Sequence, residues 1–142
     1  MSVRTASARY EGFGKPGKGF ISTQSGVLQE QQYGFNTRFE DGPGTNPEEL
    51  VAAAHASCFT MALSFALARA GFEDGTIATT AAITLEQDGS GYTITRSDLT
   101  LTGRVPGIDE ALFQEIAKGA KETCPLSKLL NAEISLTAML EA

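Results

Sequence analysis

The chain is short of basic residues, of histidine and of cysteine. Its 142 residues hold 11 Lys+Arg against 17 Asp+Glu, a formal charge of −6. A surface that neutralises phosphates needs a basic excess, so this balance argues against nucleic acid and against an anionic membrane as partners. There is one histidine and there are two cysteines, with no CxxC motif. Zinc takes four ligands, or three plus water, and so small a donor set gives a zinc reading little support. The opening residues, MSVRTASARYEGFGKPGKGF, lack the apolar run of a signal peptide. Two cysteines without such a signal point to a reducing, cytoplasmic setting, where a reactive or metal-binding thiol is commoner than a static disulfide. No internal repeat, low-complexity tract or interdomain linker is visible. What is present is ordinary for a soluble globular chain, 42% hydrophobic and 20% charged, with a length that suits one domain over residues 1–142.

Leu50 to Ala68 (LVAAAHASCFTMALSFALA) is a 19-residue stretch without a charge, nominally long enough to cross a bilayer. Seven of the 19 are alanine, and His55, Ser57, Thr60 and Ser64 are polar. Two glutamates precede it and one arginine follows, so the flanking charges give no topology signal. The better reading is a helix buried on nearly every side. One sheet in a small monomer covers one side of such a helix, and the other side then needs a second subunit.

Residues 3 to 40 read as strands and turns, with a loop at Gly14–Gly19 and a hairpin turning at Ser25-Gly26. YGFNTRFE (33–40) alternates, placing Tyr33, Phe35, Thr37 and Phe39 on one strand face and Arg38 and Glu40 on the other. DGPGT breaks the chain. Asn46-Pro47-Glu48-Glu49 then supplies an N-cap, a first-position proline and acids in the first turn, predicting a helix from Pro47 to about Arg69, stopped by Gly71. Glu49 falls where a capping box would use it, leaving Glu48 free. Ile77–Glu86 and Tyr92–Gly103 predict a hairpin around Asp88–Gly91. An amphipathic helix follows at Asp109–Lys121, with Ala111, Leu112, Ile116 and Ala120 on its apolar face. A short helix at 125–130 and a closing strand at 134–140 complete the order. That succession is α+β with an antiparallel sheet.

Three residue types could carry chemistry. Cys58 sits in the apolar helix among Phe59, Met61 and Leu63, where burial alone would raise its pKa and leave it an inert core residue. To be a nucleophile it needs a cation brought from elsewhere in the fold. Cys124 precedes Pro125 at a helix start, where backbone N–H groups favour a thiolate; a half-buried residue at a helix start is the plainer alternative. His55, three residues before Cys58, could pair with it, join a metal site, or simply be a polar residue satisfied in the packing. Arg38 could form no more than a surface pair with Glu40.

YGFNTRFE, then GTNPEELVAAAHASCFTMALS (44–64), then CPLSKLLNAEISL (124–136), together resemble the OsmC branch of the OsmC/Ohr family, thiol peroxidases that reduce organic hydroperoxides. The resemblance runs over nearly the whole chain. Its specificity lies in combining GTNPEEL with a helix cysteine and a late Cys-Pro. It implies a peroxidatic Cys58 and a resolving Cys124, assisted by Arg38 and Glu48. The placement of the arginine in NTRFE matches the OsmC branch; in the Ohr branch it comes from an earlier loop. His55 is not among the residues the resemblance transfers. The implied fold is an antiparallel sheet wrapped around a long buried central helix, in an intertwined homodimer with two sites at the interface.

The implied cycle needs no metal, flavin or haem. Cys58 thiolate attacks the peroxide, the resulting sulfenic acid condenses with Cys124, and a dithiol, of the lipoyl type in the family, reduces the disulfide. Arg38 is the fixed cation that would lower the Cys58 pKa, and Glu48 would hold its guanidinium. Glu48 and Cys58 are ten residues apart, roughly 15 Å along a straight helix, so the Arg–Glu pair is expected to arrive across a subunit interface or by a bent chain. Apolar neighbours such as Phe59 and Met61 would favour alkyl, aryl or lipid hydroperoxides. Two other readings stay open: a homodimer of this fold that binds an apolar ligand, and one that senses redox state without turning over peroxide.

Overall fold

Alternation near the N-terminus builds a small antiparallel sheet in the order β1 (Ala6–Glu11), β2 (Lys18–Thr23), β3 (Gln31–Tyr33). The computed structural model describes all residues, 1–142, in two compact units, Met1–Leu50 and Val51–Ala142. Within the first unit, the turn expected at Ser25-Gly26 is present, with the Gly26 N–H on the Thr23 carbonyl and a positive φ at Gly26. The strand paired with β2 starts later than VLQE, with Gly19 opposite Tyr33.

The expected strand over 33–40 is corrected by the structure: only Tyr33 is strand, and Phe35–Phe39 form a short helix, α1. The local cause is a reciprocal bond at its start. The Gly34 N–H donates to Thr37 Oγ1, and that hydroxyl donates back to the Gly34 carbonyl. The helical turn brings Phe35 against Phe39, with ring centroids 5.1 Å apart and the planes tilted by 48°. Asn46 Nδ2 donates to the Thr37 carbonyl, fastening α1 to the chain that opens the next helix. Gly44 lies between them at φ 126°, so close to the Gln32 carbonyl that a Cβ would collide with it.

The long helix α2 spans Pro47–Arg69, as its signals predict. Asn46 caps it by accepting the Glu49 N–H. Glu49 accepts from the Thr45 hydroxyl. At the other end, Gly71 (φ 96°) closes a Schellman motif, with Phe72 N–H on the Leu67 carbonyl and Gly71 N–H on that of Ala68. α2 passes length and hydropathy tests for a membrane span. Yet its residues at every fourth position, His55, Phe59, Leu63 and Leu67, are buried in the second unit's core. The expectation of burial on nearly every side is therefore met on one face, while Met61 and Phe65 on the other are 64% and 61% exposed.

The second unit's sheet runs β4 (Thr76–Asp88), β5 (Gly91–Arg104), β6 (Glu133–Leu140). β4 and β5 form an antiparallel hairpin, with a register shift at Thr84/Leu85 that leaves Thr95 unpaired. Beyond that bulge Ser97, Leu99, Leu101 and Gly103 alternate into the interior. β6 is parallel to β5, so the all-antiparallel expectation fails there. The reason lies in the connection: a two-residue turn can only reverse a strand, whereas the crossover through α3 (Glu110–Thr123) and α4 (Pro125–Leu129) returns the chain to the same end. The architecture is α+β. The buried stripe of α3 is Phe113, Ala117 and Ala120, with Ala111 exposed, so the apolar face is rotated from the expected one. Phe113 is fully buried, and its ring lies where a Cβ on Gly103 would have to go.

Candidate active site

The four predicted site residues form two pairs, each in its own unit. In the second unit, Cys58 lies on α2 next to the buried Phe59, which leaves it half-buried. Cys124 is fully buried at the junction of two helices: its N–H closes α3 on the Ala120 carbonyl, and it starts α4 ahead of Pro125. The fold brings these residues, 66 apart in sequence, to an Sγ–Sγ distance of 3.0 Å, with the Cys124 thiol donating to Cys58. Both thiols are free.

The environment of Cys58 pulls in two directions. Burial pushes its thiol pKa up, and the shared bond with Cys124 adds to the rise. The backbone N–H of Leu126, in the first turn of α4, works against both by lowering it. The influence of that helix start thus falls on the first cysteine, where residue order had suggested the second. Phe59, expected beside a substrate, is instead a core residue with no exposed surface, while Met61 is open.

His55 is fully buried and engaged at both ring nitrogens, Nδ1 to Ser97 Oγ at 2.6 Å and Nε2 to Ser127 Oγ at 2.9 Å. Burial lowers its pKa, favouring the neutral ring. Of its three readings, the structure supports the polar residue satisfied in the packing. Ser97, Leu126 and Ser127 escaped the sequence reading. The signal for Ser127 was its position three after Cys124, mirroring His55 three before Cys58.

In the first unit, Arg38 and Glu48 make a bidentate pair: Nε to Oε1 at 2.8 Å and Nη2 to Oε2 at 2.9 Å. The surface alternative, Arg38 with Glu40, gives way to this geometry. Glu48 is placed by the first turn of α2, and its side chain is only 14% exposed, so the pair is less screened than a surface ion pair. Nη1 is not engaged by the carboxylate. Arg38 also lines a cleft of about 380 Å³ with Tyr10, Tyr33, Phe35 and Phe39, and Lys15 at its rim lies 4.6 Å from the Phe35 ring centre.

An α+β chain with two free thiols in hydrogen-bonding contact, and an arginine fixed by a carboxylate, belongs among proteins built for thiol chemistry. The OsmC-like protein family matches residues 40–139, and the chain belongs to that family. It is 50% identical over 139 residues to peroxiredoxin OsmC of Escherichia coli (strain K12), covering 98% of this chain and 97% of that protein. Organic hydroperoxide resistance protein OhrB of Bacillus subtilis (strain 168) is 30% identical over 119 residues, covering 83% of this chain and 85% of that one. A crystal structure of an organic hydroperoxide resistance protein of Elizabethkingia anophelis matches with a TM-score of 0.74 at 26% identity, over 99% of both chains.

Proposed function

We propose that the protein is a cysteine-based peroxidase that reduces organic hydroperoxides to alcohols. The observation that carries this reading is the contact between Cys58 and Cys124, two free thiols from distant parts of the chain held 3.0 Å apart. The half-buried thiol is the one a substrate reaches, and the buried one waits behind it. Cys58 thiolate attacks the distal peroxide oxygen, breaking the O–O bond; the alkoxide leaves and takes a proton to become the alcohol. The Cys58 sulfenic acid then condenses with the Cys124 thiol, forming the S–S bond and releasing water. A dithiol, of the lipoyl type, returns both cysteines to thiols by two exchange steps and is itself oxidised to a disulfide.

Arg38 supplies the cation for the Cys58 thiolate and Glu48 holds it in orientation. Ten residues of helix separate Glu48 from Cys58, roughly 15 Å, which favours delivery of the pair to Cys58 of a second copy. The exposed Met61 and Phe65 support the same arrangement, a homodimer in which the bare face of α2 is covered by its partner. The aromatic cleft beside Arg38 suits the carbon chain of an alkyl, aryl or lipid hydroperoxide. The two units act as one OsmC-like domain, and the protein works in the cytoplasm.

The test is cumene hydroperoxide consumption with a dithiol reductant. Cys58→Ser should abolish turnover, and Cys124→Ser should form a sulfenic acid on Cys58 that a dimedone probe captures. Equal consumption by wild type and Cys58→Ser, at the level of buffer, would refute the peroxidase and favour an apolar-ligand-binding dimer. Stoichiometric disulfide formation without turnover would favour a redox sensor.

A further inference from the structure

We infer that His55 is a positioning residue for the two-thiol step, pinning α4 to α2 so that Cys124 stays beside Cys58. The inference rests on the peroxidase reading for its biological purpose, and on geometry for its content. α2 and α4 meet through two side-chain rungs. One is Cys58 with Cys124, and the other is His55 with Ser127. The spacing matches: three residues separate His55 from Cys58 along α2, and three separate Cys124 from Ser127 along α4. Both rungs therefore lie about one helical turn apart on each element.

Besides Leu126, which packs against the core, α4 has little of its own to hold it in place. It is five residues long, its N-cap Cys124 makes no side-chain capping bond, and Leu129 is 73% exposed. A helix so short is not self-supporting, so its orientation depends on tertiary tethers. His55 is a rigid tether because its other nitrogen is fixed by Ser97, a fully buried residue of β5. The neutral imidazole has one donor and one acceptor, and a serine hydroxyl complements either. The chain from Ser97 through His55 to Ser127 thus ties the sheet, the cysteine helix and the helix that begins at the second cysteine. Holding the two sulfurs together raises their effective concentration, which favours the disulfide in both rate and equilibrium.

The experiment has two readouts on the full-length protein. In the first, the protein is equilibrated with mixtures of reduced and oxidised glutathione, and the Cys58–Cys124 disulfide is quantified by alkylation. There, two protein thiols and one oxidised glutathione give one protein disulfide and two reduced glutathiones. In the second, one equivalent of cumene hydroperoxide is added and the conversion of sulfenic acid to disulfide is timed. Loss of one neutral hydrogen bond predicts that Ser127→Ala lowers the equilibrium constant and the conversion rate by up to about tenfold. Ser127→Thr, which keeps the hydroxyl, should restore both. Ser97→Ala, releasing the ring from its other side, should move both in the same direction as Ser127→Ala. Wild-type values in Ser127→Ala would overturn the inference, as would equal losses in the alanine and threonine variants. The glutathione readout needs no peroxide turnover, so failure of the peroxidase reading would leave this one still decided.

Discussion

The single histidine makes the acid side of the stability curve unusually easy to assign. His55 is the only histidine in the chain, and burial lowers its pKa. The folded protein therefore favours a neutral ring, whereas the unfolded chain protonates with an ordinary pKa of about 6.5. Below that pH the unfolded state binds a proton that the folded state resists. Stability is then fully present above about pH 6.5, falls as the pH drops, and levels off once the folded-state pKa is passed. One proton sets a ceiling of about 1.4 kcal/mol per pH unit, or about 2 kcal/mol between pH 6.5 and 5. Urea melts of the reduced protein at pH 7.5, 6.5 and 5.0, at one protein concentration, would measure it. His55→Gln should be the weaker protein at pH 7.5, and its deficit should shrink at pH 5. Asp98, whose pKa is held down first by its bond to Arg96 and then by Ser135, loses its contribution only at lower pH. A wild-type stability flat between pH 7.5 and 5, or an equal acid loss in His55→Gln, would refute the assignment.

If Arg38 is the cation that makes the Cys58 thiolate, Arg38→Ala should lose at least about tenfold in kcat/KM at neutral pH and regain much of it as the pH is raised. A pH profile from 6 to 10 checks this, and a loss that alkali does not repair would count against it. Phe113→Ala removes a fully buried ring from the core shared by α2, α3 and β5, and should cost about 3–5 kcal/mol in a urea melt of the reduced protein. Phe65→Glu puts a charge on the bare face of α2; sedimentation should show a monomer, and peroxide turnover should fall with it. A fully active dimer would place the proposed interface elsewhere.

What could be read from the chain alone divides along the range of the forces involved. The limits of α2 were legible because Asn46, Pro47 and Gly71 act locally, through bonds spanning a few residues. The β4–β5 hairpin was legible for the same reason. YGFNTRFE was not, since an eight-residue segment with aromatics at 33, 35 and 39 satisfies a strand period, while the Gly34–Thr37 bonds that turn it into a helix involve no distinctive residue type. The direction of β6 depends on where a two-helix crossover delivers the chain, which no residue pattern within the strand encodes. The site divides in the same way. The residue types of Cys58, Cys124, Arg38 and Glu48 stand out in the sequence, but their pairing is tertiary. The 3.0 Å sulfur contact and the two serines on His55 exist only once α2, α4 and β5 have packed.

The electrostatics of the two pairs also constrain what kind of nucleophile Cys58 can become. None of the influences on it within its own unit is a cation: burial and Cys124 raise its pKa, and a single backbone N–H opposes them. Left so, the thiol is protonated and slow. The proposed remedy, Arg38, comes already bound to Glu48 through two hydrogen bonds, so what it offers a thiolate is the outward end of an ion pair rather than a bare charge. Such a partner lowers the pKa by less than a free guanidinium would. That moderation is chemically useful, because thiolate nucleophilicity falls as pKa falls, and the fastest thiol is one whose pKa lies near the ambient pH. In the proposed site, a carboxylate that weakens the cation while fixing its direction would serve the attack twice: it would keep the sulfur reactive, and it leaves Nη1 outside the ion pair.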